Sequence, residues 1–229
     1  MKILAIESAS VTASCALSND DAVLGEYTLS HKKTHSEKLM PLIEKMLLDL
    51  EIEIGEVDAV AISEGPGSYT GLRIGAAIGK SLAFALNLPI ANVPTMKSLA
   101  SNIYNENKLI VPVMDAKSGR IYTGIYRCEN RMLVDVKEQF PCNIEELIDV
   151  LNGYEEQVFL IGDGSVNYRN KFEDMLKIKP VFSPSHFNYL KASSLCFLAY
   201  EMAKKEQMIK ASEFAPKYLR LSQAERNIK

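Results

Sequence analysis

A glycine-rich segment, Gly-Pro-Gly-Ser-Tyr-Thr-Gly at residues 65–71, has a composition typical of loops that bind anions. It lies between an apolar run and a helical pattern, so its backbone N–H groups could point outward at a helix N-terminus, which attracts negative charge. The candidate residues of such a nucleotide or anion loop are Gly65, Gly67, Ser68 and Thr70. The segment lacks the spacing of a Walker A loop. A tight strand-to-helix connection is the alternative, and the sequence leaves both open.

Three carboxylates follow predicted strands. Glu7 and Asp115 end corresponding apolar runs, and Asp163 follows a third run. Carboxylates at strand ends can hold a magnesium–nucleotide complex when a glycine turn lets the phosphates approach the backbone. Ser8-Ala9-Ser10 follows Glu7 and Ala116-Lys117-Ser118 follows Asp115, and neither is a glycine turn. We therefore expect a phosphotransfer site that is degraded or absent.

The pair His31 and His35 has the spacing that a helix would bring together at a metal ion. A helix cap at Thr34, three residues before Glu37, places only His35 near the predicted helix. No third ligand is evident, and we expect no metal site here. The four cysteines include no CxxC pair, which argues against a disulfide framework or a zinc knuckle; they are Cys15, Cys128, Cys142 and Cys196.

The bulk composition narrows the function classes. The chain has 229 residues, 47% of them hydrophobic, with a net charge of −3. That charge argues against a protein that binds nucleic acid on its own, because phosphate contacts need clustered Lys and Arg. Two local basic stretches, at residues 31–38 and 217–229, are more typical of solvated surface. No apolar run reaches the length of a membrane span, and Glu7 interrupts the first apolar run, so we expect a cytoplasmic protein with no membrane contact.

The elements that must position these residues follow a mixed α/β pattern. In the first half, three strands are predicted near residues 3–6, 14–17 and 23–29, then a helix from Thr34 to about Leu50, a strand over residues 57–62, and a helix over residues 72–86. In the second half, strands are predicted at residues 109–114, 120–127 and 132–136, then a helix capped by Asn143, and a strand at residues 158–161. A further helix is predicted over residues 192–205. From Ala211 the chain is polar, and Tyr218-Leu219 is its expected aromatic anchor.

Each half therefore repeats the order β-β-β-α-β, with a period of about 105 residues. This duplication is the plan of the actin, Hsp70 and sugar-kinase superfamily, whose halves are RNase H-like. We predict an α/β protein with an N-terminal lobe at residues 1–105, a C-terminal lobe at 106–215 and a tail at 216–229.

The helix after the glycine segment carries small residues at every fourth position: Gly71, Gly75, Gly79 and Ala83. Glycine inside a helix costs roughly 1 kcal/mol relative to alanine, so the stripe indicates close approach by another backbone. The stripe faces either the protein's own sheet or a second subunit, and its spacing does not decide between them.

The helix after Thr34 has more apolar residues than one buried stripe needs, and Pro41 after its first turn is expected to kink or remodel it. The additional apolar residues face either a partner or a neighbouring helix. The candidate partner-interface residues on the two helices are Ser36, Leu39, Met40, Ile43, Leu47, Leu72, Gly75, Ala76, Gly79 and Ala83.

Six blocks along the chain closely resemble the TsaB (YeaZ) family. They are ILAIESAS, HSEKLMPLIEKML, EGPGSYTGLRIGAAIGKSLA, VPTMKSLA, VPVMDAKSGRIYTGIY and PKYLRLSQAER, and they span essentially the whole sequence. The family is a paralogue of TsaD, the subunit that transfers a threonylcarbamoyl group to adenosine 37 of tRNAs reading ANN codons. TsaD carries a metal-binding HxxxH motif where this chain has Thr95 and Leu99. Aspartate is usual in the family at the position of Glu7.

The resemblance implies a non-catalytic subunit that forms a heterodimer with TsaD through the helices beginning near Ser36 and Leu72. The ATPase TsaE joins the assembly, and without TsaD the chain pairs with itself through the same surface. The complex uses ATP, whereas this chain alone binds no cofactor or metal and meets tRNA only through the complex. Two rival classes are an actin-like kinase or ATPase acting alone, which needs an Asp-x-Gly phosphate loop, and a metallopeptidase, which needs three ligands.

Overall fold

The computed structural model describes residues 1–30, 35–104 and 107–219. The predicted cap at Thr34, the residue His31 and most of the C-terminal basic stretch lie outside these residues. No helix among the described residues has both the length and the apolar composition needed to cross a membrane. The strands are β1 (Lys2–Glu7), β2 (Thr12–Asn19), β3 (Ala22–Ser30), β4 (Ala59–Gly65), β5 (Pro89–Pro94), β6 (Leu109–Asp115), β7 (Arg120–Glu129), β8 (Met132–Asn143), β9 (Val158–Ile161), β10 (Val181–Phe182) and β11 (Ile209–Lys210). The α-helices are α1 (His35–Asp49), α2 (Tyr69–Ala85), α3 (Thr95–Ala100), α4 (Ile144–Asn152), α5 (Asp163–Asn167), α6 (Arg169–Met175) and α7 (Ala192–Lys204).

The first sheet has the strand order β11-β5-β4-β1-β2-β3. Its central strand β1 is buried on both faces, because side chains alternate across a strand and helices cover both sides. Leu4 and Ile6 contribute to the core cluster that also holds residues of α1 and α2. Ile3 and Ala5 contribute to the cluster on the opposite face, which holds α7.

The second sheet has the order β10-β9-β6-β7-β8. Strands β6, β7 and β8 are consecutive antiparallel neighbours, and β9 pairs with β6 in parallel, as β4 pairs with β1 in the first sheet. Asn143 caps α4, as predicted: its side chain accepts a hydrogen bond from the Glu146 N–H at 2.8 Å. The repeated order β-β-β-α-β is confirmed.

The chain divides into two compact units that differ in extent from the predicted lobes. The first unit comprises residues 1–98 and 190–229, and the second comprises residues 99–189. Residues 190–215 were assigned to the second lobe from the sequence. They belong to the first unit because α7 packs on β1, β2 and β5, where its residues Leu195 and Ala199 are fully buried.

Several local features also differ from expectation. α2 begins at Tyr69, before the predicted start at Leu72, because Ser68 caps it by accepting a hydrogen bond from the Gly71 N–H at 3.2 Å. The strand β5 was not predicted, and the polar C-terminal segment has a fully buried anchor in Phe214, whereas Tyr218 was the expected one.

Candidate functional site

The glycine-rich segment is held between two other pieces of the chain's own backbone. A Cβ atom on Gly65 would lie 2.5 Å from the Lys217 carbonyl oxygen, and one on Gly67 would lie 2.4 Å from the Ala9 carbonyl oxygen. Gly65 also has a positive φ of 112°, which L-residues with side chains rarely adopt. Close approach and backbone conformation therefore explain these two glycines without a ligand.

Two N–H groups of the segment are engaged within the chain. The Ser68 N–H donates to the Ala9 carbonyl oxygen at 2.7 Å, and the Gly71 N–H donates to the Ser68 hydroxyl. Thr70, the remaining candidate, is exposed on the first turn of α2. The arrangement favours the alternative of a tight strand-to-helix connection over an anion loop.

Glu7, at the end of β1, is fully buried, and within the described ranges its hydrogen-bond partners include no basic side chain. Its Oε1 accepts a hydrogen bond from the Ala9 N–H at 2.7 Å, and its Oε2 accepts one from the Ser63 hydroxyl. Burial raises the pKa of Glu7 to about 7, because removal from water disfavours the ionised form, and the hydrogen bonds from Ser63 and Ala9 only partly offset this. Glu7 thus joins β1, β4 and the turn after β1.

The turn after β1 also contacts the start of α2. The Ser8 hydroxyl donates to the Gly71 carbonyl oxygen at 2.8 Å. A Cβ atom on Gly71 would lie 2.1 Å from the Ser8 carbonyl oxygen. The buried carboxyl group and the first turn of α2 are therefore linked through Ser8 and Ala9.

The carboxylates of the second unit are also bound by neighbouring groups of the chain. Asp163 Oδ1 accepts hydrogen bonds from the N–H groups of Asp115, at 3.0 Å, and Gly164, at 2.8 Å. Asp115 accepts from the Lys117 N–H at 2.8 Å and from the Asn167 side chain at 3.0 Å. Within the three described ranges, no group of three or more His, Cys, Asp or Glu side chains could hold a metal ion.

The glycine stripe of α2 faces the protein's own first sheet. A Cβ atom on Gly75 would lie 2.3 Å from the Ser8 hydroxyl oxygen, and one on Gly79 would lie 2.4 Å from Ile62 Cδ1. Ala83 is fully buried in the same core cluster. Gly75, Gly79 and Ala83 therefore pack within the chain, on the first sheet and the turn at Ser8, which is the first of the two alternatives that the sequence left open.

Most other predicted interface residues also lie in the core. The buried ones are Leu39, Ile43, Leu47, Leu72 and Ala76. Met40 is half-buried, and Ser36 is exposed. Of the ten predicted interface residues, these two alone keep substantial surface toward solvent.

The outward surface of the two helices is formed by different residues. α1 and α2 flank β4 as crossovers between strands of one direction, so they run the same way along one face of the sheet. In their last turns, Leu48 is 72% exposed and Phe84 is 80% exposed. Along α2, an outward stripe leads to Phe84 and consists of the exposed residues Arg73, Ala77, Ser81 and Phe84. We call Leu48 and this stripe the outward helix surface.

Sequence reasoning missed this surface because it followed the glycines. A signal was available: Ala77, Ser81 and Phe84 lie on the face of α2 opposite the buried stripe, at the helical spacing of four and three residues. Large apolar residues at such exposed positions are typical of contact sites for other proteins when they belong to one surface.

Comparisons with known proteins agree over most of the chain. Residues 22–228 match the model of the family described as TsaD, tRNA N6-adenosine threonylcarbamoyltransferase. The tRNA threonylcarbamoyladenosine biosynthesis protein TsaB of Bacillus subtilis is 32% identical over 225 residues, which cover 98% of this chain and 96% of that protein.

Solved structures agree on the fold. YeaZ from Pseudomonas aeruginosa has a TM-score of 0.82 at 24% identity and covers 95% of this chain and 99% of that one. An inorganic polyphosphate/ATP-glucomannokinase from an Arthrobacter strain has a TM-score of 0.52 at 11% identity, over 89% of this chain and 99% of that one. These likenesses confirm the predicted α/β fold, which the chain shares with this kinase.

Proposed function

We propose that this chain, which belongs to the TsaB family of tRNA threonylcarbamoyladenosine biosynthesis proteins, is a non-catalytic subunit of the complex that modifies adenosine 37 of ANN-decoding tRNAs. It acts by forming a heterodimer with TsaD, and it forms a homodimer in the absence of that partner. TsaE joins the assembly. The chain binds tRNA only as part of the complex and not on its own.

The observation that carries this proposal is the outward helix surface. Leu48 and Phe84 are large apolar side chains exposed in the last turns of two helices that lie side by side. Ala77 and Ser81 leave a low surface between Arg73 and Phe84, so a partner helix can approach α2 closely. Two such helix pairs, one from each chain, would bury all of these residues.

The absence of catalysis is supported by the residues that replace the TsaD motif. Thr95 and Leu99 stand at the two histidine positions, and neither side chain offers a nitrogen ligand to a metal ion. Both side chains are buried. The carboxyl group of Glu7 and the segment at residues 65–71 are likewise bound within the chain. We therefore propose that ATP is used by the complex and that no cofactor is held by this chain alone.

The test is association with TsaD from the same organism, measured by titration calorimetry, with Phe84→Asp as the perturbing variant. Complete burial of a phenylalanine side chain contributes about 1.5–3 kcal/mol, so its loss should weaken binding about tenfold to a hundredfold. An aspartate in an apolar contact adds the cost of removing a charge from water. Because Phe84 is exposed in the single subunit, the variant should still fold, and its circular dichroism spectrum should match that of the wild type.

Phe197→Asp is the matched control, because Phe197 is an exposed phenylalanine on α7, on the opposite face of the same sheet. It should bind TsaD as the wild type does. The proposed association through α1 and α2 would be contradicted if the wild-type chain showed no detectable binding to TsaD. It would also be contradicted if the two variants bound TsaD with equal affinity.

A further inference from the structure

The segment at residues 211–219, which we call the C-terminal strap, is fixed along α2 at three points. The Phe214 side chain is buried in the core cluster under α1 and α2, and its carbonyl oxygen accepts a hydrogen bond from Lys80 Nζ at 2.7 Å. The Lys217 N–H donates to the Glu64 carbonyl oxygen at 2.6 Å, at the end of β4. The first anchor lies in the C-terminal half of α2, and the second lies on β4, shortly before α2 begins.

The third point is an aromatic and cationic cluster at the start of α2. The rings of Tyr69 and Tyr218 lie with their centroids 4.8 Å apart. The Arg73 guanidinium lies 4.2 Å from the centre of the Tyr69 ring, and its Nε donates to the Tyr218 hydroxyl at 3.2 Å. The cluster is therefore held together by stacking, a cation–π contact and a hydrogen bond.

This cluster lies at the end of the outward helix surface opposite Phe84. Arg73 is the first residue of the outward stripe of α2, and Tyr218 contacts it from the strap. Tyr218 remains 40% exposed after making these contacts. The strap thus adds a half-exposed ring to the face that is proposed to meet a partner.

The anchoring of the strap does not require Tyr218. Phe214 provides the buried side chain, Lys80 Nζ binds its carbonyl oxygen, and the Glu64 carbonyl oxygen binds the Lys217 N–H. A preformed Tyr–Arg–Tyr cluster is instead characteristic of binding surfaces. Tyrosine and arginine are enriched among the residues that dominate interface energies, and side chains that are already ordered lose less entropy on binding.

We propose that the C-terminal strap is part of the partner-binding surface, and that Tyr218, positioned by Arg73 and Tyr69, contacts the partner chain directly. The occupant is the same partner of like fold that covers α1 and α2, so this inference rests on the proposed function. The partner then contacts three segments of this chain: α1, the outward stripe of α2 and the end of the strap.

The test compares Tyr218→Ala with Tyr200→Ala in binding to purified TsaD, at a temperature where thermal melting shows all variants fully folded. Tyr200 is a matched control because it stacks with Lys204 at 4.2 Å on α7, on the opposite face of the sheet. We expect Tyr218→Ala to weaken binding about tenfold, as for a moderate contact residue, and Tyr200→Ala to leave it unchanged. Tyr218→Phe keeps the stacked ring and should retain most of the affinity.

The outcomes separate this inference from the function on which it rests. If Phe84→Asp abolishes binding while Tyr218→Ala binds as the wild type does, the strap has no part in the contact and the inference is overturned. If Phe84→Asp also binds normally, the proposed use of the helix surface fails. A loss with Tyr200→Ala as large as that with Tyr218→Ala would likewise overturn the inference, because the effect would not be specific to the strap.

Discussion

Replacing Glu7 by glutamine should stabilise the protein above neutral pH and have little effect in mild acid. Glu7 is fully buried, and its two carboxyl oxygens accept hydrogen bonds from the Ala9 N–H and the Ser63 hydroxyl. A glutamine can accept from the same N–H through its carbonyl oxygen and donate to Ser63 through its amide. It therefore repeats the hydrogen bonding of the protonated carboxyl group and carries no charge.

The magnitude follows from the shift in pKa. Burial raises the pKa of Glu7 from 4.5 to about 7. Below pH 4.5 both folded and unfolded chains are protonated, and the carboxyl group adds no penalty. Between pH 4.5 and about pH 7 the carboxyl group is ionised in the unfolded chain and still protonated in the folded chain. The free energy of unfolding therefore falls by about 1.4 kcal/mol for each pH unit. Above pH 7 the accumulated loss is about 3 kcal/mol, which Glu7→Gln removes.

The assay is urea unfolding of both proteins at pH 5, 6, 7 and 8, because the other titrating groups cancel in the difference between them. The variant should gain stability over the wild type steadily from pH 5 to pH 7, and the gain should then level off. A difference that stays constant across this range would refute the reasoning, since it would mean that Glu7 has the same pKa in the folded and unfolded chains.

Three further substitutions, one of them with a control variant, test how α2 and the strap are held. Gly75→Leu should lower the melting temperature, because the leucine side chain would enter the space of Ser8, with a cost of about 1–3 kcal/mol. Sedimentation of the fraction that remains folded should show unchanged self-association. Weaker self-association with an unchanged melting temperature would instead indicate that the stripe lies at a subunit interface. Gly71→Ala should lower the free energy of unfolding in urea by a similar amount, because the new methyl group would clash with the Ser8 carbonyl oxygen. Gly55→Ala is the control: nothing lies within 4 Å of its Cβ, so its stability should change by no more than about 1 kcal/mol. Phe214→Ala should cost about 3–5 kcal/mol of unfolding free energy if the strap is part of the core, and a loss below 1 kcal/mol would show that it is not.

Most of the strands were predictable because alternation and short apolar runs report directly on a pleated, buried sheet, whereas β5 was missed. Leu109 to Met114 is one example: it forms β6 with nearly the expected bounds. The duplication was predictable for the same reason, since it needs only the order of elements. The extent of the two units was not predictable from the sequence, because the helix at residues 192–204 is equally amphipathic whichever sheet it covers.

The direction of the glycine stripe could not be decided from spacing. Residues Gly71, Gly75 and Gly79 must share one face of a helix, but the period does not say what lies against that face. The answer depends on Ser8 and Ile62, which follow β1 and lie on β4 and which contact the stripe only through the tertiary structure. Phe214 was missed for a related reason: one aromatic residue in a polar segment has no periodicity.

The most direct test of the account is reconstitution of tRNA modification from purified components. This chain alone, TsaD alone, and the two together with TsaE are supplied with ATP, the threonylcarbamoyl donor and an ANN-decoding tRNA, and the modified nucleoside is measured by mass spectrometry. We predict product only when this chain and TsaD are both present, and a loss of product with Phe84→Asp that Phe197→Asp does not share. Product formed by this chain alone, or full activity of the other components without it, would contradict its assignment as a non-catalytic subunit that acts through TsaD.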